Sequence, residues 1–168
     1  MFTTSKPDYR LAETEALGLL EEAGIENPPV NPVKLARDFA GVTVSFVTFL
    51  PESSAKVSGF YDCEENAIFV NSEESPLRQT FTVAHELGHK ILHAEWAKSE
   101  EYKVLLRNPE LRSQDYREKE ANAFAANLLM PRFMMDRYWG VADELQLSRL
   151  FAVSVPAVKA RLSFLYGV

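Results

Sequence analysis

The stretch Ser75-Pro76-Leu77-Arg78-Gln79-Thr80-Phe81-Thr82-Val83-Ala84-His85-Glu86-Leu87-Gly88-His89-Lys90-Ile91-Leu92-His93 decides how the chain is read. Serine followed by proline is a helix start: the serine side chain caps the first free N–H groups, and a missing N–H costs nothing at the first helical position. Leu77, Phe81, Ala84, Gly88 and Ile91 then recur as an apolar stripe, which predicts one helix from Ser75 to about His93. On it, His85-Glu86-Leu87-Gly88-His89 fits the pattern H-E-x-x-H. Histidines at i and i+4 stand one above the other on a helical face, so both imidazoles can reach one metal ion with the glutamate beside them. That arrangement suits zinc. A catalytic zinc takes three protein ligands and keeps an open position for water, whose pKa falls to about 7. Glu86, itself not a ligand, would take the proton of that water and hand it to the leaving amine.

Two histidines leave one protein ligand to find, and Glu118-Lys119-Glu120-Ala121-Asn122-Ala123-Phe124-Ala125-Ala126-Asn127-Leu128-Leu129-Met130-Pro131 offers it. This segment predicts a helix from about Asp115 to Met130, stopped by Pro131. Glu118 shares a helical face with Ala121, Asn122, Ala125 and Leu129, the side expected to pack inward, whereas Glu120 shares its face with Ala123, Phe124 and Asn127. Glu118 is therefore the expected third ligand, with Glu120 as the alternative and as a solvated acidic residue otherwise. Asn122, one turn after Glu118, could accept a ring N–H from a ligand histidine and fix its tautomer. Gly88, Ala121 and Ala125 would let the two helices approach closely, despite the roughly 1 kcal/mol that a mid-helix glycine costs. His93 continues the histidine row, but it lies about 6 Å beyond His89 along the axis and is expected not to bind metal. Tyr61, Tyr102, Tyr116 and Tyr138 could each stabilise an oxyanion, and the sequence does not choose among them. Cys63 is a turn residue with no metal-ligating neighbour in sequence.

The remainder predicts α+β architecture. A helix spans Asp8 to Ala23, and Asn31-Pro32 opens a second that runs through Ala40 before Gly41. Val42–Phe46 alternates as a strand; Val57–Tyr61 and Ala67–Val70 read as a hairpin around Asp62-Cys63-Glu64-Glu65-Asn66, giving a small sheet, antiparallel or mixed. The stretch from Trp96 to Gln114 is charged and yields no clear pattern beyond Asn108-Pro109. Leu145–Leu162 predicts two short helices around Val153-Ser154, packing Leu150, Phe151, Val158 and Leu162 inward as a hairpin. The expected organisation is a single unit over 1–168: N-terminal helices 8–40, sheet 42–71, catalytic helices 75–131 and C-terminal hairpin 142–166.

At 168 residues with 46% hydrophobic and 25% charged positions, the chain has the composition of an ordinary folded domain. Its net charge of −6, from 18 basic and 24 acidic residues, disfavours general binding to nucleic acid or anionic lipid. Lys159 and Arg161 are too few for a phosphate footprint on the last helix, so direct DNA binding is not expected. One cysteine forms no internal disulfide, no signal core opens the chain, and no apolar run reaches membrane length. The expected address is the cytoplasm.

Thr82-Val83-Ala84-His85-Glu86-Leu87-Gly88-His89 together with Glu118-x-x-Ala121-Asn122-x-Phe124-Ala125-Ala126-x-Leu128-Leu129-Met130-Pro131 resembles the ImmA/IrrE family of zinc metallopeptidases. The resemblance covers roughly Asn31 to Pro131. It implies a compact gluzincin-like (zincin) fold, Zn2+ held by His85, His89 and a glutamate, and Glu86 as general base. It also implies a protein substrate, since many members relieve helix-turn-helix repressors of the Xre type, in mobile elements or toxin–antitoxin-like pairs. The IrrE branch adds a C-terminal sensor domain, for which a chain ending at Val168 leaves no room, so direct stress sensing is not expected. The competing function is a metal-binding regulator that docks a repressor or DNA without cutting. Glu86 discriminates between them, because a pure binding module has no use for a general base between its histidines.

Overall fold

Asp8 accepts a hydrogen bond from the Leu11 N–H and starts α1 (Tyr9–Glu22), which buries Ala12, Ala16, Leu19 and Leu20. Asn31 caps α2 (Pro32–Asp38) in the same way through the Lys34 N–H. This helix stops two residues short of the expected Ala40. The N–H groups of Phe39 and Ala40 both turn back to Leu35 O, and Gly41 then takes φ +66° to redirect the chain. The computed structural model describes residues 5–54 and 57–168. Within them follow β1 (Thr43–Val47), a short α3 (Pro51–Ser54) that the sequence did not announce, β2 (Gly59–Asp62) and β3 (Ala67–Asn71).

The sheet is mixed. β3 lies in the middle, parallel to β1 with Thr43 opposite Ala67, and antiparallel to β2 with Gly59 opposite Val70. The β2–β3 turn is the expected hairpin, tightened by Asp62, which accepts from the N–H groups of Glu64 and Glu65. α4 (Pro76–Leu92), capped by Ser75, crosses this sheet, and His93 ends it as the capping residue. Gly59 permits the contact: a Cβ there would sit 2.7 Å from Thr82 Cγ2 on α4 and 2.6 Å from Phe69 O.

The charged stretch that the sequence left undefined forms a single 3-10 turn (Trp96–Lys98), α5 (Glu100–Leu106) and α6 (Pro109–Gln114). α7 (Tyr116–Leu129) follows, capped by Asp115, and then a short α8 (Arg132–Met135) begins after Pro131. α7 is central to the helical layer. Ala12 and Ala16 keep α1 close on one side of it, and Gly88 lies under the Phe124 ring on the other, where a Cβ would be 3.1 Å from ring carbon. One contiguous apolar cluster, including Leu20, Ile68, Leu87, Phe124 and Phe151, joins α1 to the C-terminal helices.

Those helices, α9 (Glu144–Phe151) and α10 (Val155–Tyr166), form the expected hairpin, turning at Ala152 in the left-handed region. Phe151, Val158 and Leu162 are buried and Leu150 is half-buried. Arg161 pins the hairpin to the end of α7: its Nε donates to Met130 O (2.9 Å) and its Nη2 to Asn127 Oδ1 (2.7 Å). Burial lowers its pKa to about 10, and the carbonyl end of α7 supplies compensating negative potential. Lys159 pairs with Glu144 at 3.4 Å. Both cations that α10 offered to a phosphate backbone are thus engaged. Among the described residues, no helix is long and apolar enough to cross a membrane.

Gly59→Ala is expected to lower the unfolding free energy by about 1–3 kcal/mol, as overpacking against fixed backbone does. Gly18→Ala, on the open face of α1 with nothing within 4 Å of the new Cβ, is expected to raise it by about 0.5–1 kcal/mol. Urea denaturation of the two variants measures both.

Candidate metal centre

α4 aims His85 and His89 at the first turn of α7, where Glu118 waits. Glu118 Oε2 is 2.9 Å from His85 Nε2, and Glu118 Oε1 is 2.8 Å from His89 Nε2. One ligand atom from each of the three lies within 4.8 Å of the others. A metal with bonds of about 2.0–2.2 Å holds tetrahedral ligand atoms about 3.3–3.6 Å apart, so small adjustments of the three side chains accommodate zinc. Two buried atoms mark the same spot. Among the described residues Glu86 Oε2 has no hydrogen-bond partner, and His89 Nε2 meets Glu118 at ion-pair distance without hydrogen-bond alignment. Unsatisfied buried polar atoms of this kind call for a ligand.

The far sides of the rings are held as well. The Asn122 amide oxygen only accepts, so His85 Nδ1–H donates to Asn122 Oδ1 at 2.9 Å. His85 Nε2 then either carries the proton given to Glu118 or offers its lone pair to a metal. His89 Nδ1 meets His93 Nδ1 at 2.9 Å, and His93 Nε2 meets Glu120 Oε2 at 2.6 Å. Glu120 Oε1 accepts the Asp8 N–H at 2.7 Å. The two glutamates thus serve different partners: Glu118 faces His85 and His89, whereas Glu120 faces His93 and the cap of α1. Glu120 is not the solvated residue that helical phase suggested, since both side chains are 12% exposed. The reason is that α7 begins wedged between α4 and the start of α1, so residues on two of its sides are covered.

Burial works to lower the His85 pKa, but the hydrogen bond and charge of Glu118, with the charge of Glu86, leave it raised. For His89 burial prevails and the pKa is lowered; His93 is lowered to about 4, again chiefly by burial. Burial alone would raise Glu118, yet the His85 and His89 imidazoles against its two oxygens hold it far below the ordinary carboxylate range.

Arg112, on α6, was not singled out by any sequence pattern. Its Nη2 donates to Glu86 Oε1 (2.7 Å), its Nε to Glu118 Oε1 (2.8 Å) and its Nη1 to Gly59 O (3.2 Å). Burial opposes its charge, but Glu86 and Glu118 outweigh that and raise its pKa. Asn108-Pro109 marks where α6 starts, and nothing in the spacing shows that α6 folds back over the histidine helix. The four tyrosines are engaged with other partners. Tyr61 OH donates to Asn66 Oδ1 and Tyr102 OH to Tyr61 O, Tyr116 lies under Arg117, and Tyr138 stands edge-on to Phe151. Burial, then the Glu86 charge, pushes the Tyr102 phenol well above its usual range. Cys63 Sγ donates to Ala97 O, away from any ligand cluster.

A cleft of about 740 Å³ opens on this centre, walled by Gly59 on β2, Phe81, His85 and Glu86 on α4, Arg112 on α6 and Pro156 at the start of α10. β3, the strand directly before the histidine helix, is central and hydrogen-bonded on both sides, so it has no edge on which an extended peptide could pair. β2 borders the cleft instead, and its carbonyls at Gly59 and Tyr61 already accept from Arg112 and Tyr102.

The model of the Peptidase_M78 family, the IrrE N-terminal-like domain, matches residues 40–163, which enclose every residue of this centre. The chain belongs to that family. Among IrrE-like relatives, 34 residues are 56% identical to the radiation response metalloprotease IrrE of Deinococcus radiodurans, covering 20% of this chain and 10% of that protein. An immunity region protein of Bacillus phage phi105 is 34% identical over 85 residues, 49% of this chain and 51% of the phage protein. In fold, a Mycobacterium tuberculosis transcriptional regulator superposes with a TM-score of 0.66 at 22% identity, over 92% of this chain and 46% of that one. The chain spans about half the length, or less, of the relatives it matches.

Arg112→Leu is expected to destabilise the metal-free protein by about 3–5 kcal/mol, because it leaves Glu86 buried and without a cation. Arg112→Lys should recover only part of this, since an ammonium cannot fork to three acceptors on three elements. Urea unfolding of the three proteins after chelator treatment measures the difference.

Proposed function

We propose that the chain is a zinc endopeptidase that cuts one specific regulatory protein, a helix-turn-helix repressor of the Xre type. The observation that carries this reading is the convergence of His85, His89 and Glu118 beside Glu86, whose Oε2 is buried and without a partner. His85, His89 and Glu118 would hold the ion, and Asn122 would orient His85. Zinc, when bound, supplies a Lewis acid that lowers the pKa of water to about 7 and polarises a peptide carbonyl. Glu86 takes a proton from water at Oε2 and returns it to the amide nitrogen as the bond breaks. Arg112 grips Oε1 of the same carboxylate, which keeps Oε2 facing the cleft, and its guanidinium is a cationic group beside Glu86 that can meet charge developing on a substrate oxygen. These parts support the gluzincin-like reading of the fold.

The single core from α1 to α10 supports taking the chain as one catalytic unit. Because the β2 carbonyls are engaged, recognition rests on docking and side chains more than on strand addition. A net charge of −6 complements a basic DNA-binding partner. The phage relative named for an immunity region and the fold relative named a transcriptional regulator are consistent with such a partner in the cytoplasm. The cut would fall in an exposed linker between the repressor's DNA-binding and oligomerising parts.

Glu86→Gln is expected to retain one zinc per chain by elemental analysis while cleavage falls by at least about 100-fold. His85→Ala, His89→Ala and Glu118→Ala should lose zinc and melt at lower temperature. Unchanged zinc in the histidine variants would refute the site.

Zinc-loaded protein should cut the repressor encoded beside it and leave casein intact, as read by gel electrophoresis. A repressor that is bound but uncut would favour the non-cleaving regulator; digestion of casein alone would remove the narrow specificity.

A further inference from the structure

We propose that Glu120 and His93 are positioning residues of the metal centre: together they fix the tautomer of His89 so that its Nε2 lone pair faces the ion. This rests on the metal-centre reading above and concerns residues that hold none of the metal themselves. Only one proton fits between His89 Nδ1 and His93 Nδ1 at 2.9 Å, and a neutral imidazole carries one N–H. Glu120 Oε2, an acceptor, lies 2.6 Å from His93 Nε2, so that nitrogen holds the His93 proton. His93 Nδ1 must then accept, His89 Nδ1 must donate, and His89 Nε2 is left bare; Glu118 Oε1 lies 2.8 Å from that Nε2 but out of hydrogen-bond alignment, so the aligned contact at Nδ1 decides where the proton sits. The opposite tautomer of His89 would bring two lone pairs together at the same distance. His89 is fully buried, and no solvent reaches it to correct a wrong choice.

Glu120 is itself anchored. Its second oxygen accepts the N–H of Asp8, the residue that caps α1, so the relay is tied at its outer end to the first helix of the fold. The two histidines are thereby set by different devices. His85 answers to a neutral amide, Asn122, whereas His89 answers through a second imidazole to a carboxylate, which makes it the more strongly donating ligand.

The test uses the full chain in two measurements. In zinc-free protein, nitrogen-15 spectra of the histidine rings should show His89 protonated at Nδ1 and bare at Nε2; zinc affinity is then measured in competition with a chromophoric chelator. His93→Leu should scramble the His89 tautomer and weaken zinc about 10–100-fold. His93→Gln can accept from His89 and donate to Glu120, and should restore affinity to within a few-fold. Should His93→Leu fail to fold, Glu120→Ala, which removes the carboxylate and little packing, carries the same expectation. An unchanged tautomer with unchanged affinity in His93→Leu and Glu120→Ala would overturn the relay. Failure of the unmodified protein to bind zinc would instead overturn the metal-centre reading, and the ring spectra would still decide the relay.

Discussion

Two histidines on one helix need a third ligand from elsewhere to complete a site of three, and here the approach of α7 to α4 brings the Glu118 carboxylate within reach. Gly88 makes it possible. Its missing Cβ leaves room for the Phe124 ring, and the contact fixes how α7 lies against the histidine face. Glu118, less than two turns before Phe124, is then delivered to His85 and His89, and Asn122 to the back of His85. A larger residue at 88 would move the carboxylate along with the ring. The same α7 carries α1 on its other side and the C-terminal hairpin at its end, so the candidate metal centre is built at the hub of the helical layer.

The hub is costly in electrostatic terms. Glu86, Glu118, Arg112 and two imidazoles are gathered where desolvation penalises every charge, and hydrocarbon of similar volume would stabilise the fold as well or better. Such a set fits a site that acts on a ligand better than one that only holds the fold together. Glu86 is 2% exposed and keeps one oxygen free of partners, an arrangement suited to moving a proton and poorly suited to holding a fold together. Arg112 limits the penalty by bonding two carboxylates at once while tying α6 to β2.

The cleft is assembled from distant parts of the chain. β2 forms one wall, α6 brings the guanidinium across, and the turn into α10 closes a side at Pro156. The last of these is held by Arg161, which spends its charge on the carbonyl end of α7 instead of on a nucleic-acid phosphate. The C-terminal hairpin thus serves as a wall of the cleft.

Features that depend on near neighbours in the chain were legible in the sequence. Ser75-Pro76 and Asn31-Pro32 placed two helix starts, alternation placed the strands, and the four-residue spacing of His85 and His89 put both rings on one face, because backbone geometry alone relates such positions. Helical phase also ranked Glu118 ahead of Glu120 on the side that meets those rings. The short α3 and α8 and the path of 96–114 were not legible, since no periodic apolar pattern marks segments of one or two turns. Tertiary structure alone decided three things: that β3 is central and β2 borders the cleft, that Arg112 reaches Glu86, and that Glu120 is covered and joined to His93. Each depends on where separate elements come to rest against one another, and helical or strand periodicity carries no information about the neighbour on the far side of a residue.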